Sequence, residues 1–286
     1  MQKPLIDIDA FTMFVEGLDH PECATRGPDG ATYAGGEAGQ IYRVSFDGKK
    51  EQLAQTGGFL LGICMDANRN VYACDAGRNE VTKISPSGTA SVYSKGSAQR
   101  TMANPNFPVF DSAGNLYVTA SGHWKKHDGC TFRIRPGGGA GATEVVDERA
   151  SRFPNGCALS GDGKWLYIVQ SLMPGVVRLA IGSGGRLGEP EKVVELPGTV
   201  PDGVAFDVKG NLFISCYTPD IIYRFSPAGE LAVLAQDPLR VTFASPTNIA
   251  FCGEDRQTLV VANLARWHLS KTTMPDPGQP LHYPVI

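Results

Sequence analysis

The sequence has no apolar run long enough to cross a bilayer. Its opening, MQKPLIDIDAFTMF, carries Asp7 and Asp9 where a secretory leader would need an apolar stretch. A cytoplasmic protein without membrane contact is expected. Charge of one sign is equally scarce. The 26 Lys and Arg against 29 Asp and Glu give a formal net charge of −3, which excludes the basic face of a nucleic-acid binder. The one basic pair, Lys125-Lys126, reads as a solvated loop. The seven Cys include no C-x-x-C pair. Cys23, Cys64, Cys157 and Cys252 lie in apolar contexts and read as buried thiols in a reducing compartment, not as a disulfide framework. No G-x-S-x-G surrounds Ser171, so a nucleophile elbow is not expected there. Apolar residues at i, i+3, i+4 and i+7 are missing as well, which argues against a helical repeat.

What is present is turn-forming. The chain spreads 34 Gly and 20 Pro over 286 residues, enough length for one large all-β domain spanning 1–286. One pattern recurs in "PDGATYAGG", "ANRNVYACD", "SAGNLYVTA", "GDGKWLYIVQ", "VKGNLFISC" and "DRQTLVVAN". Anchored on Tyr33, Tyr72, Tyr117, Tyr167, Phe213 and Val260, its intervals are 39, 45, 50, 46 and 47 residues. A period in that range indicates a propeller or a solenoid. Each unit contains four short apolar runs separated by turn signals, as in "GVAFD", "NLFISCY", "IIYRFS" and "LAVLAQ". The expectation is an all-β, six-bladed β-propeller with four antiparallel strands per blade. The last unit ends at "LHYPVI" without a fourth strand, while "FTMFVEG" (11–17) is surplus at the start. The N-terminal strand should therefore complete the last blade and close the ring.

The same register marks a candidate site. Stepping back from the anchors by 11 residues gives Glu22, Leu61, Asn106 and Asp202, by 12 gives Asn155, and by 13 gives Thr247. All except Leu61 follow a Pro. In a propeller these positions begin the strands lining the central channel and converge at one mouth. Asn and Asp before a strand are also common turn residues, but Glu22 is not explained that way. Glu22, Asn106, Asn155 and Asp202 together offer two carboxylates and two amide oxygens. That hard-ligand set suits Ca²⁺ first, with Mg²⁺, Mn²⁺ or Zn²⁺ as alternatives. Second strands should end at the same mouth. Their loops bring His123, Trp124, Tyr217, Trp267 and His268 forward as substrate contacts, although packing explains an aromatic near a loop equally well. His268 in particular also reads as a structural His.

Across nearly its whole length the chain resembles the regucalcin–gluconolactonase family of six-bladed propellers. The resemblance rests on "HPECATRGPDGATYAGG", "NPNFPVFDSAGNLYVT", "FPNGCALSGDGKWLYIV" and "VPDGVAFDVKGNLFIS", four motifs in register. It implies a divalent metal on Glu22, Asn155 and Asp202, with Asn106 close by or ligating, and hydrolysis of a lactone or related ester. The metal would polarise the lactone carbonyl, and Asn106 and Asn155 would orient metal and substrate. Asp202 would be both ligand and general base. Because a cation lowers its proton affinity, a water activated by the ion stays open as the alternative. The chain departs from the family's sugar lactonases at Asn104 and Phe107, where they carry Arg and Asp. A less polar lactone or ester follows as the expected small-molecule substrate. Two other readings stand beside this one: a strictosidine-synthase-like propeller enzyme, and a non-catalytic propeller that binds calcium or a partner.

Overall fold

The structure, a computed structural model, describes residues 3–286. These form six four-stranded antiparallel sheets arranged as blades around an axis. The first strand of each blade lies innermost: Cys23–Arg26, Leu60–Met65, Pro105–Phe110, Pro154–Leu159, Val200–Phe206 and Pro246–Cys252. Neighbouring first strands touch one another in a closed cycle. Ring closure follows the sequence expectation. Thr12–Glu16 pairs antiparallel with His268–Thr273, placing Thr12 opposite Lys271 and Glu16 opposite His268. Helix is limited to three short 3-10 turns among the described residues, and no helix is long and apolar enough to cross a membrane.

Each blade is covered on both faces, so its middle strands are apolar on both sides. The repeat anchors supply much of the packing between blades. Tyr72 of blade 2 meets Phe110 of blade 3 edge-on at 4.9 Å, Tyr167 of blade 4 meets Phe206 of blade 5 at 4.9 Å, and Phe213 of blade 5 meets Phe251 of blade 6 at 5.3 Å. The core is thus divided into clusters, each filling the seam between adjacent blades. The turns between first and second strands carry a repeated clasp. Asp66, Asp111 and Asp207 accept both the backbone and side-chain amides of the Asn four residues on, at 2.6–2.9 Å. The seven Cys are all free, six of them buried and Cys64 half-buried. Burial pushes the Cys130, Cys216 and Cys252 thiols up to about 12, which keeps them protonated and unreactive.

The C-terminal stretch, which reads from sequence as a blade running out, crosses the far end of the central channel instead. Gln279 N donates to Phe206 O at 2.8 Å and the Tyr283 hydroxyl to Arg26 O at 2.7 Å. Ala67 N donates to Pro284 O at 2.9 Å. Above this strap lies an apolar cavity of about 100 Å³, walled by the middles of all six first strands. The strap residues Gln279, Pro280, Leu281, His282 and Tyr283 line this cavity together with the strands.

Candidate active site

Five of the six first strands break register as they begin. The breaks fall between Leu60 and Ile63, Pro105 and Phe107, Pro154 and Cys157, Pro201 and Val204, and Pro246 and Asn248. Leu61, Asn106, Asn155, Asp202 and Thr247 therefore occupy bulges, where a residue leaves the ladder and its side chain is re-aimed. Glu22 precedes its strand directly. Pro suits the position before the bulge because the innermost edge faces the channel and needs no donor there. The Gly after Asn155 and Asp202 has a separate cause. A Cβ on Gly156 would lie 2.5 Å from Asp202 O, and one on Gly203 2.7 Å from Thr247 O. The motifs Pro-Asn-Gly and Pro-Asp-Gly thus encode a missing donor, an aimed side chain and a close approach to the next blade.

Hydroxyl groups tie these bulges into a ring. Thr119 Oγ1 donates to Asn155 O at 2.7 Å, and Ser215 Oγ to Thr247 O at 3.2 Å. Thr247 Oγ1 donates to Glu22 O at 2.8 Å, across the closure of the ring. Two serines also hold the site amides. Asn106 Nδ2 donates to Ser121 Oγ at 3.1 Å, and Ser121 donates to Pro154 O at 2.8 Å. Asn155 Nδ2 donates to Ser171 Oγ at 3.3 Å, and Ser171 donates to Pro201 O at 2.7 Å. Among the described residues no hydrogen bond engages either amide oxygen.

All six register positions line one cavity of about 260 Å³ at the open mouth. Glu22 and Asp202 are 9% and 8% exposed, and no Lys, Arg or His is among the residues that line the cavity. Burial pushes the Glu22 carboxyl well above its usual range, and the Asp202 charge beside it pushes the same way. Burial likewise raises Asp202 to about 8, against a downward pull from the Asn155 amide. Glu22 Oε2 is buried without a hydrogen-bond partner. Two buried carboxylates with no cation to meet them are costly, and a divalent ion would remove that cost. The available donors are all oxygen, with no imidazole or thiolate in the lining. They fit Ca²⁺, Mg²⁺ or Mn²⁺, and fit Zn²⁺ less well.

The substrate residues expected from sequence divide. Asn104, Trp124 and Tyr217 line the mouth cavity with the ligand candidates. Phe107, His123, Trp267 and His268 do not. Phe107 follows the bulge, so its side chain turns the other way, toward Gly62 of blade 2 and the far channel cavity. His123 is exposed and bonds Asp128 at 2.8 Å. Trp267 and His268 belong to a groove on the outside of blade 6, where His268 Nε2 lies 3.0 Å from Thr242 O. Arg266 is in that groove too.

Sequence reasoning missed Phe59, Phe153, Val200 and Leu264, which also line the mouth. A signal was present. Phe59, Asn104, Phe153 and Val200 each sit two residues before a register position. Ser171, Tyr217 and Leu264 each follow the residue paired with the Pro that precedes a register position. The ligand register thus carries two further rings of lining residues with it. Phe153 also has an unusual backbone, with φ +58° immediately before Pro154. That left-handed conformation costs about 1–3 kcal/mol for a residue other than Gly, and Asn104 adopts it at the matching place with φ +53°.

No curated protein matches the sequence. Solved structures show the same fold. A gluconolactonase from Xanthomonas campestris superposes with a TM-score of 0.79 at 19% identity, over 93% of this chain and 89% of that one. A calcium-binding protein, regucalcin, from Agrobacterium tumefaciens gives 0.75 at 14%, over 96% of both chains. A luciferin-regenerating enzyme gives 0.76 at 14%, over 95% of this chain and 99% of that one. The family model for the SMP-30/gluconolactonase/LRE-like region matches residues 31–265. The chain therefore belongs to the SMP-30/gluconolactonase/LRE-like family.

Proposed function

We propose that this protein is a divalent-metal-dependent hydrolase that opens a lactone or ester, acting as one unit over residues 1–286. The observation carrying the reading is the pair Glu22 and Asp202, buried together without a cationic partner and with Glu22 Oε2 unpaired. Glu22, Asn155 and Asp202 would hold the ion, with Asn106 as a fourth donor or a substrate contact. When bound, the ion would polarise the substrate carbonyl and stabilise the charge that develops on its oxygen.

The chain's own residues have separable tasks. Ser121 and Ser171 accept from the amide nitrogens, which would leave the Asn106 and Asn155 oxygens for the ion. Asp202 would take a proton from an attacking water, with a water activated by the ion as the alternative because the cation lowers the carboxylate's proton affinity. Asn104, Trp124 and Tyr217 stand at the wall, where a substrate above the floor must pass. The similarity to a gluconolactonase supports ester-ring opening, and the similarity to a calcium-binding protein supports an oxygen-ligated cation.

The test is a lactone hydrolysis screen on protein purified without chelator, paired with elemental analysis. About one divalent ion per chain is expected, with activity lost on chelation and restored by the ion. Full activity in metal-free protein overturns the proposal. A bound ion without hydrolysis of any lactone or ester moves the protein to the calcium-binding class.

A further inference from the structure

We infer that the mouth cavity selects a neutral substrate carrying an apolar group, alkyl or aryl, held against an aromatic wall of Phe153 and Trp124. This deepens the lactonase reading and rests on it. Two layers can be distinguished in the cavity. Its floor, at the starts of the first strands, is polar apart from Leu61. Its wall is mostly apolar: Phe59, Phe153, Val200 and Leu264 are joined by the aromatic rings of Trp124 and Tyr217, and Asn104 is the one amide among them. A polyhydroxylated ring entering such a wall would leave hydroxyls unpaired. An anionic substrate would find no Lys, Arg or His in the lining, and two carboxylates below.

The wall is built at a cost. Trp124 is 49% exposed and Tyr217 42%, so the collar presents aromatic surface to solvent at a concave site. Phe153 meets the Trp124 ring edge-on at 4.8 Å. It does so from the left-handed backbone that Asn104 adopts at the equivalent place in blade 3. Asn tolerates that conformation, and a bulky aromatic does not. The conformation recurs at His20 and Ser245, two residues before Glu22 and Thr247, and is not taken by Phe59 or Val200 at the same place in blades 2 and 5. The aromatic at 153 runs against the local backbone preference, and it lines the cavity.

The test uses the full chain loaded with Ca²⁺ and three probes: δ-valerolactone, δ-decanolactone and glucono-δ-lactone. Wild-type kcat/KM should favour the pentyl-bearing lactone over the polyol by at least about tenfold. Phe153→Asn suits the left-handed backbone, so it should fold with an equal or higher Tm. In that variant the preference for the pentyl lactone should shrink by about tenfold, through KM more than kcat. Trp124→Ala, in an exposed loop, should shrink it in the same direction. Binding of the pentyl-bearing δ-lactam, which resists hydrolysis, gives a second readout by calorimetry. Equal turnover of polyol and alkyl lactones, or an unchanged preference in a folded Phe153→Asn, overturns the inference while hydrolysis itself stands. If no probe is hydrolysed but the lactam still binds, and binds more weakly in Phe153→Asn, the lactonase reading falls and the apolar site remains. Neither hydrolysis nor lactam binding overturns both.

Discussion

The Asn155 amide nitrogen donates to the Ser171 hydroxyl at 3.3 Å, and that hydroxyl donates onward to Pro201 O at 2.7 Å. Ser171 thus fixes which end of the amide points to the centre and ties it to the blade that carries Asp202. Removing the hydroxyl frees the amide to turn its nitrogen toward the cation. Ser171→Ala should weaken Ca²⁺ binding by about tenfold, the usual size of a lost supporting contact at a metal ligand. Ser171→Thr should restore most of it. Calorimetric titration of the chelated variants measures this. Unchanged affinity in a folded Ser171→Ala would leave the serine a purely structural link between blades.

Asn155 itself separates a ligand from a turn residue. Both Asn and Asp suit a turn, so a turn role makes Asn155→Asp nearly silent. As a ligand position, it becomes a third carboxylate around one ion. Metal binding should then persist or tighten, while turnover falls because the added charge weakens the pull on the carbonyl. Asn155→Leu should fold and bind the ion weakly. Metal affinity and kcat measured on both variants check this. Equal affinity in the two would return Asn155 to the turn.

Acid–base linkage gives a third outcome. Burial raises Asp202 from 3.8 to about 8, and Glu22 moves upward as well. The folded metal-free chain therefore keeps protons that the unfolded chain releases between those values. Stability of the metal-free protein should fall as pH rises through this window and level off above it. An ion on the carboxylates reverses the sign, because it binds the deprotonated form. Thermal melts in chelator and in excess Ca²⁺ should diverge as pH increases. Asp202→Asn should flatten the chelator curve. Parallel curves in chelator and Ca²⁺ would show that the carboxylates do not meet the ion.

The close approach of blades at the axis is testable through two glycines. A Cβ on Gly203 would sit 2.7 Å from Thr247 O and 2.8 Å from Asn248 Cα, both backbone atoms. Gly163, at a hairpin tip with φ +68°, has nothing within 4 Å. Gly203→Ala should lower stability by about 1–3 kcal/mol through overpacking against atoms that cannot move aside. Gly163→Ala meets only the left-handed strain, about 1 kcal/mol. Urea midpoints compare them, and a Gly203→Ala loss no larger than that of Gly163→Ala would contradict the tight ring.

Much of this was legible in the sequence because the fold repeats. Tyr72, Tyr167 and Phe213 recur at blade spacing since each fills a seam between blades, and the same period carried Glu22, Asn106, Asn155 and Asp202 to one mouth. Phe107 lines the far cavity and not the mouth for a physical reason. It adjoins a bulge, and a bulge reverses which way the next side chain faces. Trp267 and His268 lie in a groove shared with Met13 and Glu16 of the N-terminal strand that completes the last blade, a neighbourhood set by ring closure and absent from the local sequence. Phe153 was invisible because its role depends on a left-handed backbone that no residue type announces. The strap over the far end was hidden too, since Gln279 and Tyr283 bind carbonyls of distant blades and leave no local pattern.

The central claim is that Glu22, Asn155 and Asp202 hold one divalent ion at the channel mouth. Anomalous scattering from crystals grown with Mn²⁺ tests it most directly. One strong peak bounded by the Glu22 and Asp202 carboxylates and the Asn155 amide oxygen is the expected result, and it should vanish in Asp202→Ala. Full Mn²⁺ in the mother liquor with no peak at the mouth, or a peak only at the rim cluster of Asp19, His20 and Glu37 on blade 1, would contradict it.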